Sequence, residues 1–81
     1  MLMSDQFPQE HLVELKGLSP EFVGRIMLFK QGQDYQSEID IVQSETGKIY
    51  SHVKSVYHAE EPRELLDLSV HYLKEFLSRP E

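Results

Sequence analysis

The chain has 81 residues, 40% apolar and 27% charged, with a net charge of −6 and no cysteine. That size allows one domain on one small core, and the composition is that of a folded chain rather than a disordered one. Lack of thiols excludes disulfides, thiolate metal sites and cysteine nucleophiles, and so small a domain without staples points to a reducing cytoplasm.

The acidic balance repels phosphate backbones and anionic lipid, and the eight Lys and Arg are scattered along the chain. Neither nucleic acid nor a membrane surface is therefore an expected partner. No apolar run reaches the roughly 18 residues of a membrane span. The opening MLMSDQFPQEH lacks a basic region followed by an apolar stretch. The expected layout is a mobile lead at 1–10, a single α+β domain at 11–78 and a short tail at 79–81.

His11 to Lys16, HLVELK, alternates weakly and reads as a short strand. Ser19-Pro20-Glu21 has the pattern of a helix start, with a capping hydroxyl, proline in the first turn and an acid at the positive end of the dipole. Phe22, Val23, Ile26, Met27 and Lys30 follow at helical spacing, and Gly32 supplies a stop. Gly24 costs such a helix up to about 1 kcal/mol, so it suggests a close packing contact. Glu38 to Gln43, EIDIVQ, alternates and is rich in β-branched residues. Ser44-Glu45-Thr46-Gly47 suits a hairpin turn with Gly47 at positive φ, and KIYSHVKSVYH continues as the return strand. Glu60-Glu61-Pro62 opens a last helix, whose apolar stripe includes Leu65, Leu66, Ser69, Val70, Tyr72, Leu73, Phe76 and Leu77. The expected fold is an α+β two-layer sandwich in the order β-α-β-β-α, an antiparallel-rich sheet with both helices on one face. Its core comprises Phe22, Val23, Ile26, Ile39, Ile41, Val53, Leu66, Val70, Leu73 and Leu77.

Regular pairing around the turn sets Val42 opposite Tyr50, Ile41 opposite Ser51, Asp40 opposite His52, Ile39 opposite Val53 and Glu38 opposite Lys54. Period two then turns Ile39, Ile41, Ile49, Val53 and Tyr57 toward the helices. The outer face holds Glu38, Asp40, Val42, Tyr50, His52 and Lys54. Its charges meet in two cross-strand pairs, Asp40–His52 and Glu38–Lys54, as on a solvated sheet surface. The four histidines, His11, His52, His58 and His71, do not converge as zinc ligands, so no metal is expected. No Ser-His-acid spacing, P-loop or dinucleotide fingerprint is present, and no cofactor is implied.

Three short stretches together resemble the HPr phosphocarrier family of the bacterial sugar phosphotransferase system. GLSPEF at Gly17–Phe22 sits where the family has its Gly-Leu-His-Ala-Arg-Pro motif. YQSEIDI at Tyr35–Ile41 is similar to the run entering the family's second strand. KSV at Lys54–Val56 follows a Gly-Lys hairpin, as the family's regulatory Lys-Ser-Ile does. Ser19 stands where the phosphorylated histidine belongs, no arginine precedes Pro20, and the segment from Ser55 to Pro62 is too short for the family's second helix and fourth strand. The resemblance therefore implies a phosphocarrier-like regulatory module without phosphohistidine chemistry, with Ser55 as the phosphorylation site and Lys54 beside it.

The residues themselves point to a small cytoplasmic protein that works by binding another protein, or a second copy of itself, without catalysis. An adaptor, inhibitor or regulatory subunit fits. Tyr50, His52, Lys54 and His58 are the expected contact surface. A small-ligand-binding domain is the remaining alternative.

Overall fold

The structure, a computed structural model, describes residues 7–78. Four strands and one helix follow in chain order: β1 (Gln9–Val13), β2 (Phe22–Gln31), β3 (Asp34–Gln43), β4 (Ile49–Ala59) and α1 (Pro62–Ser78). The strands form one antiparallel meander, β1-β2-β3-β4, and α1 crosses one face of it. The order is thus β-β-β-β-α, which corrects the expected β-α-β-β-α with two helices. The segment read as a first helix is β2, a central strand paired along its whole length with β3 and over Gly24–Leu28 with β1.

FVGRIMLFKQ misleads because it is apolar on both sides. Phe22, Gly24, Ile26 and Leu28 face the helix, while Val23, Arg25, Met27 and Phe29 face away. Such a run satisfies a period of 3.6 as well as a period of two. The boundary signals are equally shared. Gly32, with φ 62°, closes the two-residue loop between β2 and β3, and a left-handed glycine serves a hairpin as readily as a helix end. Ser19 makes a turn, with the Phe22 amide donating to its carbonyl at 2.9 Å. The β1–β2 loop is tied to the β3–β4 turn by Ser44, whose amide donates to Glu21 O at 2.7 Å and whose hydroxyl donates to Pro20 O at 3.0 Å.

The β3–β4 turn has Gly47 at φ 76° as expected. β1 begins at Gln9, and the Phe7 ring lies 5.3 Å from that of Tyr35; most of the expected lead, residues 1–6, and the tail at 79–81 lie outside the described residues.

The core lies between α1 and the sheet: Ile26, Leu28, Ile39, Ile41, Leu65 and Leu73 are buried there. Leu28 and Leu65 go deeper than the sequence suggests. Phe22, Val53, Leu66, Val70 and Leu77 pack around the edge, half-buried. Tyr57, expected inside, is exposed. The helix starts as its sequence requires, with proline in its first turn and the Leu65 amide on Glu61 O at 3.1 Å. Its buried line is Leu65, Ser69 and Leu73, each one turn from the next.

Two hydroxyls sit within that apolar layer. Ser37 of β3 and Ser69 of α1 are fully buried with their oxygens 2.8 Å apart, and Ser69 donates to Leu65 O at 2.7 Å. Ser69's proton is thereby committed, so Ser37 is the donor between them. Ser69→Ala strands the Ser37 hydroxyl in the core and should cost about 1–3 kcal/mol in urea unfolding. Replacing both serines by alanine should cost less than that single change. A double variant less stable than Ser69→Ala alone would show that Ser37 has another partner.

Candidate functional site

Among the described residues no second element packs on the face of the sheet opposite α1, where β3 and β4 carry Glu38, Asp40, His52 and Ser55. β4 pairs with β3 irregularly. Register shifts fall between Tyr35 and Ser37, Ile39 and Asp40, and Ile41 and Val42, and at each one β4 takes up an extra residue. Asp40–His52 and Ile41–Ser51 pair as expected. Val42 instead faces Ile49, Ile39 faces Lys54, and Glu38 faces Ser55. A bulge places two residues opposite one and re-aims the side chains around it.

Three consequences correct the expected outer face. Val53 and Lys54 both lie toward the helix: Val53 packs on the core, and Lys54 Nζ sits 4.9 Å from the centre of the Tyr72 ring. The expected Glu38–Lys54 pair is absent. Its place is taken by Ser55, which donates its hydroxyl to Glu38 Oε1 at 2.8 Å.

The Asp40–His52 pair is present and close, with His52 Nδ1 2.7 Å from Asp40 Oδ1. Asp40 is buried, whereas the His52 ring is half-exposed. Ser55 Oγ lies 3.3 Å from the other ring nitrogen of His52. Asp40, His52, Ser55 and Glu38 therefore form one connected chain of hydrogen bonds. Nearby, Arg25 of β2 is the cross-strand partner of Asp40. Its guanidinium reaches Glu10 of β1 at 3.8 Å, and its Nε is buried without a partner.

A serine three residues from a histidine on a regular strand points to the opposite face, which is why the sequence shows no Ser-His-acid arrangement. The extra residue at Val53 supplies the missing half-step. The sequence carries no signal for it: Asp40 opposite His52 together with Ile39 opposite Lys54, which no unbroken strand allows, is seen only in the paired strands.

The four residues expected as a contact surface do not converge. Tyr50 is 66% exposed, with its ring 4.5 Å from that of Phe22. His58 lies eight residues further along β4, roughly 26 Å away at strand rise. It is exposed, with Nδ1 3.4 Å from Asp34. Its backbone has φ 64° at the bulge between β3 and β4, a left-handed conformation that strains residues other than glycine. His58→Gly should raise stability by up to about 1 kcal/mol, since the relief exceeds the glycine entropy cost only modestly. A fall in melting temperature would mean that the Asp34 contact outweighs the strain.

Among the described residues no three His, Asp or Glu side chains are grouped to hold a metal ion, and no helix is long and apolar enough to cross a membrane. The open grooves lie elsewhere, around the β1–β2 loop and between that loop and the end of α1. No protein-family model matches the chain, and neither a curated protein nor a solved structure matches it.

Proposed function

We propose that this domain binds another protein through β4 and the adjoining part of the open sheet face. The observation that carries this reading is the exposure of β4. Ile49, Tyr50 and Tyr57 are 58%, 66% and 57% exposed, and they are three of the five large apolar side chains left open among the described residues. An edge strand with two exposed tyrosines has the composition of an interface centre.

The chemistry of the strand narrows the partner. β4 itself carries no acid in a chain whose net charge is −6; His52 and His58 face Asp40 and Asp34 of β3, and Lys54 is the cation of the strand with no carboxylate among its contacts with the described residues. The strand suits an apolar patch rimmed by carboxylates. A second copy fits less well, because antiparallel pairing of β4 with itself sets Lys54 against Lys54 at the middle of the strand. The three bulges also break the even spacing of free amides, so the contact is through side chains rather than an added strand. Phosphorylation of Ser55 and small-ligand binding lack a comparable observation. Glu38 beside the Ser55 hydroxyl opposes a phosphoryl dianion there.

A photo-cross-linking residue at Tyr50, with Asp67 on the exposed side of α1 as control, tests the reading in cells that express the protein. A discrete heavier adduct from Tyr50 and none from Asp67 is the expected result. No adduct from Tyr50, equal adducts from both, or an adduct of twice the chain mass would overturn it.

A further inference from the structure

The bulge at Val53–Lys54 brings together a relay whose connectivity is that of an activated hydroxyl. We propose that Ser55 is a nucleophile toward small activated esters, with His52 as its general base and Asp40 as the residue that positions the ring.

The hydrogen bonds assign the roles. Asp40 is an acceptor, so its 2.7 Å contact with His52 needs the proton on Nδ1. In the neutral ring this leaves a lone pair on Nε2, the atom 3.3 Å from Ser55 Oγ. Such an arrangement is recognised by geometry and roles, whatever the fold. The Ser55 hydroxyl donates at rest to Glu38, and rotation about Cβ–Oγ turns the same proton to Nε2. Burial of Asp40 and half-exposure of His52 fit the two roles: the ring is held from within and open to solvent at its working nitrogen.

With an aryl acetate the step balances as follows. An Oγ lone pair attacks the carbonyl carbon while Nε2 takes the Oγ proton. The tetrahedral intermediate then collapses with cleavage of the bond to the aryl oxygen. That oxygen leaves with the proton from Nε2, and acetyl remains on Ser55. Water, deprotonated by the same nitrogen, later attacks the acetyl carbonyl; the bond to Oγ breaks, Oγ takes the proton back from Nε2, and acetic acid leaves. The site lies on an open face, so the oxyanion is met by solvent and the substrate by few walls. Reactivity is thereby limited to small acyl groups with good leaving groups. A positioned base contributes about 10²–10⁴-fold.

Timed acetylation of the intact protein by p-nitrophenyl acetate, mapped by peptide mass spectrometry, reads the proposal directly. Ser55 should be acetylated about 10²–10⁴ times faster than the exposed Ser44 in the same molecule. His52→Asn keeps a donor to Asp40 but lacks the Nε2 atom, and should abolish that advantage. Acetyl confined to lysines, a Ser55 rate equal to that of Ser44, or an unchanged Ser55 rate in His52→Asn would overturn the proposal. An equal loss in Glu38→Gln would move the base to Glu38 and overturn the role of His52.

The comparison of Ser55 with Ser44 in the native chain needs no substitution, so it decides even if a variant does not fold. The positioning role of Asp40 is read by the imidazole ¹⁵N shifts of the neutral ring. The native chain should show the Nδ1–H tautomer, and Asp40→Asn should release the ring to Nε2–H. A native ring already in the Nε2–H form would remove Asp40 from the relay.

Discussion

Leu73→Ala is expected to lower the unfolding free energy by about 2–5 kcal/mol, a large share of the roughly 5–15 kcal/mol typical of a whole domain. Leu73 is fully buried and lies over β2 at the point where α1 meets the sheet. Removing its side chain deletes apolar burial and leaves a space bounded by a strand that cannot collapse into it, because β2 is held by β1 on one side and β3 on the other. Urea unfolding followed by circular dichroism measures the loss. A loss below about 1 kcal/mol would mean that α1 contributes little to the core.

Gly24→Val attacks the same contact from the opposite side. A Cβ built on Gly24 overlaps Leu73 Cδ2 and comes within 3.3 Å of the Val13 carbonyl oxygen. The leucine is fully buried and must change rotamer to make room, and the carbonyl belongs to paired backbone. Overpacking of this kind costs about 1–3 kcal/mol, although valine by itself favours a strand.

The two predictions are coupled. With Leu73 reduced to alanine, the space beside Gly24 opens, and the double variant should lose less than the sum of the single losses by about 0.5–3 kcal/mol. Strict additivity would show that the helix does not rest on Gly24.

The glycine also shows how far the sequence can be read. Its cost within a helix already marks a close approach, and the close approach is there. The neighbour it serves is a helix crossing a strand, and no local signal distinguishes the two arrangements. The β3–β4 hairpin and α1 were legible because each has one apolar side and one polar side, with turn or capping residues that admit a single reading. β2 lacks that contrast, and Val42 shows the same limit: it lies on the face away from α1 yet is only 2% exposed.

The candidate site divides in the same way. His52 could be placed opposite Asp40 from period two and the turn, but Tyr50 could not: Val42 faces Ile49 in its stead, and the Tyr50 ring lies against Phe22. Lys54 and Ser55 could not, because each bulge shifts everything beyond it by one residue and turns it to the other face.

By itself, then, the sequence determined the elements whose periodicity is one-sided: the turn at Gly47, the pairing of Asp40 with His52 and the amphipathic helix ending the chain. The tertiary structure decided that Phe22–Gln31 is a strand, since only pairing with both β1 and β3 satisfies the backbone of a segment apolar on each side. It also decided that Ser55 joins His52 and Asp40. That depends on one extra residue at Val53, which β4 accommodates because it is an edge strand, with neither Cα spacing nor hydrogen bonds to match on its outer side.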